Sequence, residues 1–278
     1  MNLYDETQML LNQYGLKAKK KFGQNFLINE EVINSIIEKS EITKNDVVLE
    51  IGPGLGTLTK ALLKSAKKVI AVEIDEDMVD ILNKRFDEPN LEIINEDVLK
   101  LDLNEITKKE GKLKVVANLP YYITTPIVMK LLESEYDIAS ITVMVQKEVG
   151  ERLCSGGNSK DSGAISIAVD YYSNSKIIID VPKQNFLPSP EVDSVVIKLD
   201  ILDKPRVELV NKKRFFNLVK AAFSQRRKTI NNSLSSGDYS KEDINNALEK
   251  LKINPKLRAE DLTINEFANI SNTLEEIK

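Results

Sequence analysis

The sequence predicts an α/β protein with a doubly wound, mostly parallel sheet, followed by a small all-helical C-terminal domain. Apolar β-rich runs alternate with stretches of helical spacing through the first half of the chain, an arrangement typical of parallel sheets. A glycine-rich turn follows the first of these runs, as in α/β folds that bind nucleosides. Beyond Pro205 only helical patterns follow, which places a domain boundary between residues 203 and 204.

The predicted strands follow from short apolar runs bounded by polar or glycine residues. Four parallel-type strands cover residues 47–51, 69–73, 91–95 and 114–117, a fifth covers 141–146, and later β runs cover 164–172, 176–181 and 194–201. The short turns between the later runs predict a hairpin-like end to the sheet. Ahead of the sheet, helical spacing predicts a helix over residues 3–14 and a second, capped by Asn29, from residue 30 to about 39.

The segment VVLEIGPGLGTLT at residues 47–59 predicts a strand, a glycine turn and a helix. Gly52, Gly54 and Gly56 allow positive φ angles and leave room for a ligand beside the backbone. Glu73 ends the next predicted strand, so it belongs to the same sheet edge, where a carboxylate can bind both hydroxyls of a ribose. The unit therefore predicts a site for a nucleoside-like cofactor.

The spacing of the glycines distinguishes among such cofactors. A dinucleotide site requires glycines at the first, third and sixth positions, but the sixth position is Thr57. The lysine-containing phosphate loop is absent from the sequence as well. An acid before the glycines, GxGxG and Glu73 favour S-adenosylmethionine (SAM), with a nicotinamide oxidoreductase as a more distant alternative.

The composition excludes several classes of mechanism. The 278 residues include no histidine and one cysteine, Cys154, so histidine-based hydrolase triads, histidine metal sites and intrachain disulfides are impossible. Cys154 lies in a polar loop without an obvious base, which argues against a role as nucleophile. We expect no metal. The N-terminus lacks a signal-type apolar core and no apolar run reaches membrane-spanning length, so we expect a cytoplasmic protein.

Positive charge is concentrated in two stretches of the chain. Residues 204–237 carry nine Lys or Arg and the single acid Glu208, which favours a surface that faces a polyanion. A helix is predicted over residues 213–230, with a cationic face that includes Lys213, Lys220, Arg227 and Lys228, next to Arg226. The second stretch, Lys17 to Lys21, precedes QNFL at 24–27 and predicts either a solvated surface or a further contact with nucleic acid.

The tetrapeptide Asn118, Leu119, Pro120 and Tyr121 follows the fourth predicted strand and belongs to the ligand edge of the sheet. An exocyclic amine of a base is a poor nucleophile, because its lone pair is delocalised into the ring. Two acceptors on its hydrogens, the Asn118 side-chain oxygen and a backbone carbonyl near Leu119 or Pro120, would favour attack on a methyl group. Tyr121 offers a face on which a base can stack.

Taken together, these motifs resemble the ribosomal RNA adenine N6-dimethyltransferase family, and specifically its small-subunit branch. The resemblance covers nearly the whole chain through QNFL (24–27), EIGPGLGTLT (50–59), Glu73, Asp97, NLPY (118–121), NFLPSPEVDS (185–194) and AAFSQRRKTINNSL (221–234). It implies a Rossmann-like class I SAM-dependent methyltransferase domain with a seven-stranded sheet at 1–203, and an RNA-binding helical domain at 204–278. The implied activity is N6,N6-dimethylation of two adjacent adenosines near the 3′ end of small-subunit (16S) ribosomal RNA.

The resemblance also implies roles for individual residues. Asn25 and Leu27 would cover the methionine end of SAM, Gly52 and its neighbours its amino-acid moiety, Glu73 its ribose, and Asp97 its adenine amine. Asn118 would close the site. Phe186 would stack on the target adenine opposite Tyr121. From position alone, Asp97 could instead cap a helix, and Phe186 could anchor a loop.

Two alternatives within ribosome biology stay open at this point. The large-subunit RNA methyltransferases that confer macrolide resistance share the fold, QNFL and NLPY, although the RRK segment and the VDS ending favour the small-subunit branch. The chain could also act mainly as a ribosome assembly factor, with methylation secondary. The expected partner is ribosomal RNA in an immature 30S particle, and the expected state is a monomer without membrane attachment.

Overall fold

The computed structural model describes residues 2–15, 25–134, 136–235 and 239–277. The chain divides into two compact units, one of Met1–Gly150 with Lys176–Ile201 and one of Glu151–Ser175 with Leu202–Lys278. The lysine cluster from Lys17 to Lys21 and Gln24 of the QNFL segment lie outside the described residues. Within the described ranges, no helix has the length and apolar composition needed to cross a membrane.

The strands form one large sheet and one short ladder. They are β1 (Phe26–Leu27), β2 (Val47–Ile51), β3 (Lys68–Glu73), β4 (Leu91–Asn95), β5 (Leu113–Asn118), β6 (Ile138–Gln146), β7 (Ser173–Val181), β8 (Phe186–Leu187) and β9 (Ser194–Ile201). The sheet order is β4-β3-β2-β5-β6-β9-β7, and β1 pairs with β8. Pairings from β4 to β6 are parallel, whereas β9 runs antiparallel to β6. The predicted seven-stranded, mostly parallel sheet is confirmed.

Helices connect the parallel strands and follow the sheet. They are α1 (Leu3–Gln13), α2 (Glu30–Lys39), α3 (Thr57–Ser65), α4 (Glu76–Arg85), α5 (Leu103–Glu110), α6 (Thr124–Glu133), α7 (Lys147–Cys154), α8 (Ala164–Tyr172), α9 (Lys212–Ser224), α10 (Ile230–Leu234), α11 (Lys241–Lys250) and α12 (Ile264–Glu276). Asn29 caps α2 as predicted, because its side-chain oxygen accepts the N–H of Glu31 at 2.8 Å. The central strands β2 and β3 are almost entirely buried, so the helices cover both faces of the sheet there.

One predicted strand is wrong. Residues 164–172 form the helix α8, not a β run. The segment is short, apolar and rich in β-branched and aromatic residues, a pattern that suits a buried strand and a buried helix equally well. Packing decides between them: Ile167 and Tyr171 lie in the core of the second unit, where the Tyr171 and Phe215 rings are 6.0 Å apart. Tertiary contacts therefore override local β propensity.

The second unit is built around its own apolar core. Phe215 of α9 and Phe267 of α12 are both fully buried there. Arg206 joins the two chain segments of this unit, since its guanidinium donates to the carbonyl oxygens of Asp170 at 2.8 Å and Ser173 at 3.0 Å. The predicted single boundary at 203/204 assigned Glu151–Ser175 to the first domain, whereas the compact second unit includes these residues.

The loop after α7 is closely packed within the second unit. The N–H of Asn158 donates to the Leu262 carbonyl at 2.9 Å, and the Ser162 hydroxyl donates to the Gly156 carbonyl at 2.7 Å. A Cβ at Gly157 would lie 2.7 Å from the Leu262 carbonyl oxygen and 2.9 Å from the Thr263 Cα. These are backbone atoms, so they cannot move aside as a flexible side chain can.

We therefore predict that Gly157→Ala destabilises the protein by about 1 to 3 kcal/mol, the usual cost of overpacking a closely packed site. Gly163→Ala is the matched control, because its Cβ would meet only the Arg152 side chain at 3.6 Å and its φ of −147° suits alanine. Urea unfolding of both variants and the parent measures the difference. Equal free energies of unfolding for Gly157→Ala and Gly163→Ala would contradict this prediction and show that the loop backbone shifts to accommodate the added methyl group.

Candidate active site

A cavity opens at the carboxyl edge of the parallel strands in the first unit. It is lined by residues at the ends of β2, β3, β4 and β5, together with residues at and next to β1. The predicted site residues that line it are Asn25, Leu27, Gly52, Gly54, Glu73, Asp97, Asn118, Leu119, Pro120 and Tyr121. Sequence positions that are far apart therefore meet at one cavity, as the strand order requires.

The glycine turn and the Glu73 carboxylate form one wall of this cavity. Gly52, Gly54 and Gly56 have φ angles of 68°, 55° and 80°, which L-residues with a side chain rarely adopt. The Gly54 N–H donates to Glu73 Oε2 at 3.1 Å, and the Asp75 N–H donates to Glu73 Oε1 at 2.9 Å. Since a carboxylate offers about four lone-pair positions, Glu73 keeps acceptor capacity for hydroxyl groups of a ligand.

The Asp97 carboxylate supports both interpretations of this residue. Its Oδ1 accepts the N–H of Leu99 at 2.9 Å, the local turn contact expected of a capping residue. The side chain also lines the cavity. This hydrogen bond uses one of the two carboxylate oxygens, so a capping role and a ligand contact are compatible.

Asn118 is held by the segment next to β1. Its side-chain Nδ2 donates to the Asn25 backbone carbonyl at 3.1 Å, which orients the amide and leaves Oδ1 as an acceptor. The following backbone is fixed by the Leu119 N–H, which donates to the Met144 carbonyl at 3.2 Å. The Tyr121 hydroxyl lies 2.8 Å from the Ser194 hydroxyl at the start of β9. The NLPY segment is thus tied to three separate parts of the first unit.

Phe186 does not reach this cavity, contrary to its predicted place beside the target base. It is 3% exposed and packs in the sheet core with Leu27, its partner in the β1–β8 ladder. The ladder register turns the ring inward, so the loop-anchor alternative describes Phe186 in this structure. Two exposed apolar side chains that the sequence reasoning did not single out line the cavity instead, Tyr122 at 63% and Ile74 at 51% exposure. Because they follow Tyr121 and Glu73 directly in the sequence, these two residues could have been predicted to lie at the cavity.

Electrostatically, the cavity favours a positively charged ligand. Its acidic lining residues are Glu50, Glu73, Glu96 and Asp97, and no Lys or Arg is among the described residues that line it. Glu50 is 1% exposed, and its Oε2 has no hydrogen-bond partner within the described ranges. Burial raises the pKa of Glu50 to about 8, opposed by the Thr59 hydroxyl and reinforced by Glu73. Burial also raises the pKa of Glu73, although the N–H groups of Asp75 and Gly54 oppose the rise.

Comparison with known proteins identifies the family. The model of the family "Ribosomal RNA adenine dimethylase" matches residues 15–276. The chain belongs to this family. It is 48% identical over 272 residues to "Ribosomal RNA small subunit methyltransferase A" of Clostridium botulinum, covering 98% of this chain and 99% of that protein. A protein of the same name in Clostridium acetobutylicum is 44% identical over 269 residues, covering 96% and 98%.

Solved structures of similar fold agree with this assignment. A dimethyladenosine transferase from Plasmodium falciparum has a TM-score of 0.75 at 28% identity, covering 88% of this chain and 95% of that one. The 23S rRNA methyltransferase ErmE has a TM-score of 0.71 at 25% identity, covering 90% and 100%. The predicted identity as a ribosomal RNA adenine methyltransferase is confirmed, and the dimethylase family depends on SAM.

The cavity of this dimethylase fits SAM in its charge. SAM carries a sulfonium and an ammonium against one carboxylate, so it is a net cation. A cavity with acidic lining residues attracts such a ligand and disfavours the phosphates of dinucleotides. The buried Glu50 oxygen without a partner is the specific feature that a cation would stabilise.

We predict that SAM binding releases a proton from Glu50. The free protein holds Glu50 protonated at neutral pH, since its pKa is about 8. A bound cation favours the ionised carboxylate and lowers that pKa, so affinity should rise between pH 6 and 7.5, by up to about tenfold per pH unit for one complete proton. Calorimetric titrations at pH 7 in two buffers of different ionisation enthalpy count the protons released.

Glu50→Gln is the matched control, because the amide has the same shape and cannot titrate. It should bind SAM without this proton release and with a flatter pH dependence. If both proteins release the same number of protons, the titrating group is elsewhere.

Proposed function

We propose that this dimethylase transfers two methyl groups from SAM to the N6 amine of each of two adjacent adenosines near the 3′ end of small-subunit (16S) ribosomal RNA. The substrate we propose is an immature 30S particle in the cytoplasm, and the enzyme acts as a monomer. Support for the small-subunit target comes from the relatives of that name at 44% and 48% identity over nearly the whole chain. ErmE, a 23S rRNA methyltransferase, is less similar at 25% identity.

The observation that carries the chemistry is the fixed orientation of Asn118. Because its Nδ2 donates to the Asn25 carbonyl, its Oδ1 is left as an acceptor at the cavity. An adenine amine that donates to Oδ1 shifts electron density from its N–H bonds to the nitrogen. This interaction strengthens as the nitrogen becomes positive during attack, so it lowers the barrier rather than only binding substrate.

A second acceptor is the Leu119 carbonyl rather than that of Pro120. The Pro120 carbonyl already accepts from the Ile123 N–H at 3.2 Å and from the Thr124 hydroxyl at 3.3 Å. For the Leu119 carbonyl, no hydrogen bond is found within the described ranges. Together with Asn118 Oδ1 it would accept both hydrogens of an unmodified amine.

The transfer needs no general base. Attack of N6 on the methyl of a sulfonium breaks the carbon–sulfur bond and gives a neutral thioether and a cationic nitrogen. That nitrogen loses its proton readily to water. The protein contributes alignment of the amine with the methyl group, for which Tyr121 supplies a stacking face held by Ser194.

The cofactor roles proposed for the cavity residues follow their positions. Asn25 and Leu27 cover the methionine end, and the turn at Gly52 and Gly54 takes the amino-acid moiety. The Glu73 carboxylate binds the ribose hydroxyls, and Asp97 binds the adenine amine. All of these residues line the same cavity.

We predict that Asn118→Ala lowers turnover about 100- to 1,000-fold, the usual loss when a transition-state hydrogen-bond partner is removed, while SAM affinity changes little. The assay incubates labelled SAM with unmethylated small subunits and with large subunits, followed by nucleoside analysis. The parent enzyme should give dimethyladenosine in small-subunit RNA only.

Asn104→Ala, at an exposed position at the start of α5, serves as the control and should retain full turnover. Label in large-subunit RNA would contradict the proposed target. Near-normal turnover of Asn118→Ala with a raised KM would show that Asn118 binds substrate and does not stabilise the transition state.

The RNA surface we propose lies in the second unit. Lys213, Lys220, Arg226, Arg227 and Lys228 are all exposed. The predicted single helix over 213–230 is wrong in part, because α9 ends at Ser224 and the RRK segment forms a turn before α10. The turn is held by Arg226, whose Nη2 donates to the Lys160 carbonyl at 3.1 Å. A fixed turn presents Arg227 and Lys228 at lower entropic cost than a free loop.

We predict that replacing Arg226, Arg227 and Lys228 together by alanine weakens subunit binding and leaves SAM affinity intact. Each lost phosphate contact should flatten the salt dependence by nearly one unit of log–log slope, because fewer counterions are released. Binding to subunits at several salt concentrations measures this slope.

In the matched control, alanine replaces Lys241, Lys250 and Lys256, three exposed cations of the same unit. Both triple variants lose three positive charges. Equal slopes for the two triple variants would place the RNA surface elsewhere.

A further inference from the structure

A partly buried ion pair connects helix α1 to the glycine turn without lining the cavity. Arg85, the last residue of α4, donates through Nη2 to Glu6 Oε1 of α1 at 2.6 Å and through Nη1 to the Leu55 carbonyl. The exposed fractions of the Arg85 and Glu6 side chains are only 13% and 18%. A guanidinium therefore bridges three elements: α1, the end of α4, and the turn between β2 and α3.

The carbonyl that Arg85 binds belongs to the centre of the cofactor turn. Leu55 lies between Gly54 and Gly56, both at positive φ, and its side chain is 1% exposed. Leu55 lines the cavity that contains Glu73 and Asn118. A turn rich in glycine has many accessible conformations, so a donor that fixes its carbonyl reduces the entropy lost when a ligand binds.

Apolar packing supports the same connection. Leu10 of α1 lies in one buried cluster with Phe26, Leu55, Met78 and Ile81. The Arg85 guanidinium lies 5.4 Å from the centre of the Phe86 ring, and that ring occupies the place of a Cβ on Gly56. Helix α1 thus packs against Leu55 of the turn.

Glu6 is needed because Arg85 is a partly buried charge. Burial lowers the pKa of Arg85, and the Glu6 carboxylate opposes that effect. A second cation near Glu6 is Lys60, whose Nζ lies 3.5 Å from Glu6 Oε1. Its side chain is 53% exposed, so it contributes little. Removal of Glu6 would leave the guanidinium without a counter-ion among the residues that the structure describes, and free to leave the Leu55 carbonyl for water.

We propose that Glu6 and Arg85 are positioning residues for SAM, which hold the glycine turn in its binding conformation through the Leu55 carbonyl. Packing of α1 against the turn and binding of SAM then stabilise each other. Neither residue lines the cavity. This effect on SAM affinity does not depend on which RNA is methylated.

The test measures SAM affinity by calorimetry, without RNA, for Glu6→Gln, Arg85→Met and the double variant, well below their melting temperatures. Each single variant should weaken SAM about fivefold or more, a typical coupling between sites. The double variant should be no weaker than Arg85→Met, because Glu6 acts through Arg85. Arg85→Lys should recover affinity only in part, since an ammonium lacks the planar fork that bridges both oxygens.

Lys60→Met is the matched control, and its SAM affinity should equal that of the parent. Hydrogen exchange gives a second readout: SAM should slow exchange of α1 amides in the parent and not in Arg85→Met. If Arg85→Met is too unstable to assay, Glu6→Gln carries the test. Affinities within twofold of the parent for both folded single variants, with lower melting temperatures, would overturn the proposal and leave the ion pair a stabilising contact only.

Discussion

The arrangement of the site depends on the carboxylate of Glu73, which binds backbone on both of its oxygens. It accepts the N–H of Gly54 at 3.1 Å and that of Asp75 at 2.9 Å, and so joins the turn after β2 to the turn after β3. Glu73 is only 7% exposed, and these two donors offset the cost of burying its charge. Asp75 in turn caps α4, which ends at Arg85. The glycine turn, the Glu73 carboxylate and helix α4 are therefore held together by hydrogen bonds.

The acidic lining of the cavity favours the cofactor before methyl transfer over the product that remains after it. The acidic lining attracts a cofactor that carries a sulfonium, and methyl transfer converts that sulfonium into a neutral thioether. The electrostatic attraction between the acidic lining and the cofactor is therefore weaker after the transfer. Two rounds of transfer on one amine require the used cofactor to leave between them, and an electrostatic preference for the unreacted form favours that exchange.

Local pattern was sufficient for features that depend on neighbouring residues. The ends of strands β2 and β4 coincide with the predicted runs, because apolar residues bounded by polar ones admit one interpretation there. For Ala164–Tyr172 the predicted strand is wrong, because the local pattern fits a strand and a helix equally well. Only packing in the core of the second unit decides for the helix. The place of Phe186 depends on a ladder with Leu27, and the Glu6–Arg85 pair joins residues 79 positions apart. Such partners have no local signature.

The discontinuous second unit limits how this chain can be shortened. A fragment that stops at residue 203 would retain Glu151–Ser175 but lose every later segment with which those residues pack. Helix α8 would then expose Ile167 and Tyr171 to water, and a contiguous apolar patch of this kind promotes aggregation. Isolation of the first unit therefore requires removal of Glu151–Ser175 together with the C-terminal helices, rather than removal of the C-terminal helices alone.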